Sequence, residues 1–114
     1  MIKMNPKVKS SWLDALRSGK YTQTKGMLER RKGGKVVGHC CLGVLLRSQG
    51  VKPQIKNDDV GFGRNDGAPE YSVLAPYYLR KFGIDVDSMN HLWKMNDRDG
   101  KSFKEIAAWV KRNL

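Results

Sequence analysis

The longest apolar run of this otherwise polar chain lies near its middle, between Gly38 and Gly50. One stripe of this run follows helical spacing at i, i+3, i+4 and i+7, and consists of Cys41, Val44, Leu45 and Ser48. Leu42 and Leu46 form a second stripe beside it, so the segment is apolar over most of its circumference. The pattern predicts a buried central helix over residues 40–49, which Gly50 ends because glycine readily adopts positive φ.

Gly43 lies inside this predicted helix, where glycine lowers helix stability by about 1 kcal/mol relative to alanine. A second polypeptide segment that passes close to the helix would explain the missing side chain. We therefore expect another backbone segment to contact the central helix at Gly43.

The first helix is predicted from Asn5 and Pro6, an N-cap residue followed by proline at the first helical position. An apolar stripe that includes Trp12 follows, and Gly19 closes the element. The helix is therefore expected over residues 6–18.

Extended structure is predicted on both sides of the central helix. Lys20–Lys25 alternates polar and β-prone residues and is expected to be a strand or an extended connection. Arg30–Lys35 contains two adjacent glycines and is expected to form the tip of a hairpin, with Val36 and Val37 on the returning strand. Further along, Asn65–Gly67 is expected to form a tight turn between short strands.

Three more helices are predicted in the C-terminal half. Pro76 begins one helix near its first turn, and Gly83 ends it. Ser88 is expected to cap a short helix, and Asn96–Gly100 to form a polar turn after it. The capping box Ser102–Glu105 then begins an amphipathic last helix.

Together these elements predict an α+β fold in a single domain that spans residues 1–114. We expect four to five helices around the central helix 40–49, with a small antiparallel hairpin or sheet from residues 20–37 and 51–72. A chain of this length can bury a modest core without disulfides or metal. The side chains expected in that core include Trp12, Cys41, Leu42 and Phe103.

Charge is distributed unevenly along the chain, whose formal net charge is +11. Residues 1–35 hold ten Lys or Arg and two acids, which gives +8, whereas residues 36–114 hold twelve and nine, which gives +3. A basic first third indicates an anionic partner such as nucleic acid or an acidic protein surface. A lysine-rich surface without such a partner would show the same pattern.

The candidate contact residues for nucleic acid or another anion lie between residues 20 and 35. They are Lys20, Tyr21, Lys25, Arg30, Arg31, Lys32 and Lys35. Exposed cations beside glycines can reach a phosphate backbone, and an exposed tyrosine can stack on a base. Phe62 is a further aromatic candidate for contact. A solvated loop without a binding role remains the alternative.

The two cysteines, Cys40 and Cys41, are adjacent and cannot readily bridge each other. Burial as small apolar side chains is the favoured interpretation. A thiol nucleophile at the helix N-terminus, with His39 or His91 as base, is the alternative. Consecutive cysteines do not match the spacing of a zinc knuckle, so no metal or other cofactor is expected.

No apolar run reaches the length of a membrane helix, and the first residues lack the apolar core of a signal peptide. We therefore expect a cytoplasmic protein without a membrane contact.

Four motifs recur in the same order in a known group of proteins. They are W-x-x-A-L-x-S-G-x-Y-x-Q from Trp12 to Gln23, C-C-L-G-V-L from Cys40 to Leu45, N-D at Asn96–Asp97, and S-F-x-x-I-A from Ser102 to Ala107. In this respect nearly the whole chain resembles small uncharacterised proteins encoded by tailed bacteriophages. The resemblance implies a phage accessory protein expressed in the cytoplasm of a bacterial host, and it brings no catalytic residue with it.

The leading hypothesis is a non-enzymatic phage accessory protein that binds nucleic acid or a nucleic-acid-handling host protein, as a host-takeover or anti-defence inhibitor. Three alternatives stay open. One is a protein-only inhibitor that docks on an acidic host surface. The second is a sponge for small signalling nucleotides, over which the Asp58–Pro69 loop would close. The third is a small enzyme with a cysteine nucleophile.

Overall fold

The computed structural model describes residues 3–56, 58–63 and 70–114, so the predicted turn Asn65–Gly67 lies outside the described residues. Its elements in chain order are α1 (Pro6–Arg17), β1 (Glu29–Lys32), β2 (Lys35–His39), α2 (Cys41–Ser48), β3 (Gln54–Lys56), β4 (Asp59–Gly61), α3 (Pro76–Phe82), α4 (Val86–Asp97) and α5 (Phe103–Asn113). β1 pairs with β2 and β3 with β4, both antiparallel. The described residues thus form the α+β fold that the sequence predicts, with five helices and two small hairpins.

Helix α2 is the centre of the core. Every residue from Cys41 to Leu46 is buried, as the apolar pattern of this segment predicts. α1 packs against it, and the Trp12 indole Nε1 donates a hydrogen bond to the Cys41 carbonyl oxygen at 2.9 Å. On the other side, the Cys41 thiol lies 3.6 Å from the carbonyl oxygen of Leu92 in α4. The predicted central buried helix is confirmed.

The backbone just before β1 passes directly over α2 at Gly43. A Cβ atom at Gly43 would overlap the carbonyl oxygen of Leu28. The same oxygen accepts a hydrogen bond from the Cys40 amide at 3.3 Å, and the Leu28 side chain is fully buried. The close approach that Gly43 predicts is therefore confirmed.

The helix ends largely follow their sequence signals. The Asn5 side chain caps α1 by accepting from the amides of Lys7 at 3.0 Å and Val8 at 3.3 Å. Gly83 ends α3 with φ of 77°, and α5 begins with the predicted capping box. These side-chain hydrogen bonds satisfy amides that have no partner within the helix.

The start of α4 differs from the prediction. The helix begins at Val86 after Asp85, and Ser88 lies in its first turn instead of capping it. The Asp85 carbonyl oxygen accepts the Met89 amide at 3.0 Å, which closes the first turn. Asp87 also lies in this turn, where a carboxylate is favourable at the positive end of the helix dipole.

The prediction that Phe62 is available for contact is wrong. Its side chain is 1% exposed and belongs to the core beside Val60. The guanidinium of Arg47 lies 5.8 Å from the ring centroid. The turn-rich sequence around Phe62 suggested an exposed side chain. Burial of a large apolar ring is strongly favourable, however, and the ring lies in the core.

We expect Gly43→Ala to lower the free energy of unfolding by about 3 kcal/mol or more, because the methyl group would collide with the Leu28 backbone. Helix propensity alone would stabilise the same variant by about 1 kcal/mol, so the two effects have opposite signs. Urea denaturation measures the difference.

Gly50→Ala is the matched control, because Gly50 has φ of 72° and no atoms within 4 Å of the added Cβ. It should cost only about 1 kcal/mol from the left-handed backbone. A Gly43→Ala protein as stable as the wild type would contradict the close contact.

Candidate nucleic-acid interface

The basic segment forms a two-residue hairpin. Gly33 and Gly34, with φ of 60° and 79°, make the turn, and both values fall in the region that glycine tolerates. The prediction placed the whole of Arg30–Lys35 at the tip. In the structure Arg30–Lys32 instead belongs to strand β1, because β1 pairs with β2 as far as Lys32 opposite Lys35. Strand geometry therefore decides where each cation points.

Successive side chains in a strand point to opposite faces, so Arg30 and Lys32 share one face of β1. Lys35 lies opposite Lys32 in β2, and all three residues are exposed. Arg30 also reaches the segment before the hairpin, where Nε donates to Thr24 Oγ1 at 3.0 Å and Nη2 to the Lys25 carbonyl oxygen at 3.4 Å. We call Lys25, Arg30, Lys32 and Lys35 the basic hairpin face.

Arg31 points the other way and contacts a buried carboxylate. The Glu29 side chain is 0% exposed, and Arg31 Nε donates to it at 2.9 Å. Arg47 Nε donates at 2.7 Å and His39 Nε2 at 2.8 Å, both to the second carboxylate oxygen. We call these four residues the Glu29 cluster. Its arrangement gives Arg31 a structural partner beneath the hairpin.

Two pKa values in the Glu29 cluster are lowered. Burial alone would raise the pKa of Glu29, but hydrogen bonds from Arg47, Arg31 and His39 outweigh it and hold that pKa below its ordinary value. Burial lowers the pKa of His39, and this effect outweighs the opposing attraction of Glu29. His39 is therefore neutral at pH 7 and donates its Nε2 proton to Glu29.

Tyr21 is placed with the Glu29 cluster and not with the basic hairpin face. Its ring is half-buried and meets the His39 ring edge-on at a centroid distance of 5.2 Å. Lys20 beside it is exposed. Of the seven residues predicted from sequence, four thus form the basic hairpin face, Lys20 is exposed nearby, and Arg31 and Tyr21 belong to the packing beneath it.

A buried amide fixes the segment that leads into the hairpin. Asn96 is 0% exposed, and its Oδ1 accepts from Gln23 Nε2 at 2.9 Å and from the Cys41 amide at 3.2 Å. Its Nδ2 donates to the Thr24 carbonyl oxygen and to Asp97 Oδ1, both at 2.8 Å. All four hydrogen-bonding positions of the side chain are used.

Asn96 was predicted in a polar turn, and that prediction is wrong, because its partners lie in the interior and it belongs to the last turn of α4. Sequence reasoning missed this role. The available signal was the recurrence of the N-D motif together with the motifs that contain Gln23 and Cys41.

A polar groove of about 200 Å³ lies beside this amide network. Its lining includes Gln23 and Asn96, and Lys25, Gly100 and Lys101 complete it. Gln23 Nε2 also donates to the Lys101 carbonyl oxygen at 2.8 Å, and this hydrogen bond connects two of the residues that line the groove. The fold thus brings Lys101, which sequence reasoning did not select, to the same groove as Lys25.

The cysteines are buried and free. Burial raises the pKa of Cys40 to about 12, although this residue occupies the N-cap position of α2. Burial also raises the pKa of Cys41 well above its ordinary value. Both thiols are therefore protonated near neutral pH, which speaks against a cysteine nucleophile.

Residues 3–56, 58–63 and 70–114 contain no group of three His, Cys, Asp or Glu side chains positioned to share a metal ion. In the same ranges, no helix is long and apolar enough to span a bilayer.

The structure defines a small α+β protein that carries an exposed basic hairpin. A family model matches residues 4–61, and the chain belongs to that family, DUF8296, which is described as a domain of unknown function. The match includes the hairpin, the Glu29 cluster and α2, and it ends at the last residue of β4. Neither the curated proteins nor the solved structures contain a match to the chain.

Asn96→Asp should lower the free energy of unfolding by about 3 kcal/mol, measured by urea denaturation. The substitution removes both donated hydrogen bonds and places a buried carboxylate beside Asp97. Asn90→Asp on the same helix is the control, since Asn90 only accepts a bond from the Trp93 indole and aspartate can still accept it. Equal stability losses in the two variants would contradict the special role of Asn96.

The lowered pKa values predict that stability decreases on acidification. The unfolded chain takes up a proton at His39 near the ordinary pKa of 6.5, whereas folded His39 does so only at lower pH. Stability should therefore fall as the pH is lowered through 6.5, and again below the ordinary Glu29 value of 4.5. Denaturation midpoints across this range measure the profile.

His39→Gln should remove the first decrease, because glutamine does not titrate and can still donate to Glu29. The exposed residue His91 supplies the control variant His91→Gln, which should retain it. A profile that is the same in all three proteins would show that His39 does not cause the decrease.

Proposed function

We propose that this protein is a phage-type accessory protein that binds the phosphate backbone of nucleic acid through the basic hairpin face. The observation that supports the proposal most is the separation of charges across the hairpin. The face directed to solvent carries Arg30, Lys32 and Lys35, whereas the acid of the same strand, Glu29, is buried on the other side.

The charged groups of the basic hairpin face stand apart from the acidic side chains that the structure describes. In the described part of the chain, no carboxylate oxygen lies within 4 Å of the charged group of Lys25, Arg30, Lys32 or Lys35. Cations on a fixed strand can neutralise phosphates and so release the counterions condensed on a polyanion, which favours binding. The Glu29 cluster and the Asn96 hydrogen bonds hold this surface in place before binding.

The face contains no aromatic side chain, and the Tyr21 ring is held against His39. Phosphate contacts position a protein on nucleic acid but do not read sequence. We therefore infer binding that is salt-dependent and largely independent of sequence.

Asp58 limits where the nucleic acid can approach. Its carboxylate accepts from the turn amides of Gly33 at 3.4 Å and Gly34 at 3.1 Å, so the tip of the hairpin carries a negative charge. This contact ties the hairpin to the segment that leads into β4. The favourable approach is therefore onto the strand face that carries the cations, and not onto the backbone of the Gly33–Gly34 turn.

A protein-only inhibitor that docks on an acidic host surface is the second candidate. It is favoured by the exposure of Val36 at 46% and Val37 at 41%, next to Lys35. Apolar side chains beside cations suit a protein surface better than a phosphate backbone.

The double variant Lys32→Gln/Lys35→Gln should weaken binding to a labelled DNA duplex by a factor of about 10 to 100 at 0.1 M salt. It should also reduce the salt slope by about 1.8, since two phosphate contacts are lost. Fluorescence anisotropy at several salt concentrations measures both quantities. Arg31 is kept intact because its loss would leave Glu29 short of a partner in the interior.

Lys52→Gln/Arg98→Gln is the control, because it removes the same charge from exposed residues outside the hairpin. An equal effect of both double variants would mean that only net charge matters. If the wild type binds no duplex but retains a host protein after nuclease treatment of a bacterial lysate, the second candidate replaces the first.

A further inference from the structure

A second concentration of positive charge lies where the start of α1 meets the end of α5. A cleft of about 680 Å³ is lined there by four cations, Lys3, Lys9, Lys111 and Arg112. We call it the terminal cleft. Its remaining lining residues in the described chain carry no acidic side chain; they are Met4, Asn5, Pro6, Asn113 and Leu114. The cleft shares no residue with the basic hairpin face.

The walls of the terminal cleft are fixed by packing. α1 and α5 lie against each other, and the Asn5 amide donates to the Phe82 carbonyl oxygen at 3.0 Å. Met4 is buried beneath the cleft. Lys9 is a half-buried residue, and its Nζ donates to the Lys111 carbonyl oxygen at 3.1 Å, so the ammonium is held across the junction of the two helices.

The other three cations of the cleft are exposed, and no carboxylate in the described residues pairs with them. Like charges around a concave surface repel one another, and the low-dielectric wall strengthens their combined field. A bound anion relieves this repulsion. Arg112 adds a planar guanidinium, whose paired N–H groups match two oxygens of a phosphate.

We propose that the terminal cleft is a second phosphate-binding site, which holds the backbone of the same nucleic acid as the basic hairpin face. This inference rests on the proposed function and extends its contact surface. The cleft lies at the N-terminal end of α1, and Lys20 lies beyond the other end. The 12 residues of α1 span about 18 Å, a length that corresponds to several nucleotides of a nucleic-acid strand.

The test compares three double variants on a labelled 20-base-pair duplex by fluorescence anisotropy at several salt concentrations. The cleft variant is Lys111→Gln/Arg112→Gln, and Lys32→Gln/Lys35→Gln and Lys52→Gln/Arg98→Gln serve as hairpin variant and control. All the substituted side chains are exposed, and glutamine is nearly as favourable in a helix as lysine or arginine. Thermal unfolding verifies that each variant is folded.

We expect the cleft variant to bind about 10 to 100 times more weakly at 0.1 M salt than the control, with a salt slope smaller by about 1.8. The combined cleft and hairpin variant should show the sum of the two losses in log affinity, because the two sites share no residue.

The other outcomes separate the two proposals. A cleft variant that binds like the control, while the hairpin variant is weakened, overturns the second site and leaves the proposed function standing. A weakened cleft variant with an unaffected hairpin variant overturns the role of the basic hairpin face. A wild-type protein that binds no duplex overturns both.

Discussion

The close contact between the Leu28 backbone and α2 at Gly43 determines the position of the hairpin. The Leu28 carbonyl oxygen accepts a hydrogen bond from the Cys40 amide. The Leu28 amide donates to the Tyr71 carbonyl oxygen at 2.7 Å. Leu28 thus joins the start of the central helix to the segment that contains Tyr71. Glu29 follows directly in the chain, so its carboxylate enters the interior beside α2 instead of facing solvent.

Two buried polar groups then fix the surface around that contact. The carboxylate of Glu29 and the amide of Asn96 are both fully enclosed, and both are satisfied by hydrogen bonds. No buried side-chain nitrogen or oxygen in the described residues lacks a partner. Because an unpaired buried polar group costs more than a hydrogen bond contributes, these groups favour one arrangement of the hairpin and its leading segment.

The predictable part of the fold depended on local signals. Helical periodicity and caps identified the helices. Gly43 indicated a close backbone contact, because glycine destabilises the interior of a helix and a neighbouring backbone explains its presence there. Asn96 and Phe62 were misplaced because their positions depend on partners distant in sequence. Ser88 was misplaced for a local reason, since the Asp85 carbonyl oxygen closes the first turn of α4 and Ser88 lies within that turn. Arg31 was grouped with the cations of the hairpin, since composition does not reveal which face of a strand a residue occupies or that a buried acid lies beneath it.

The family match distinguishes the two proposed phosphate sites. The whole basic hairpin face and the whole Glu29 cluster lie within residues 4–61, so the matched segment contains both the cations and the packing that orients them. The terminal cleft needs Lys111 and Arg112 from α5, outside that segment. Of the two proposed sites, only the hairpin therefore lies wholly within the matched segment, whereas the cleft depends on residues after β4.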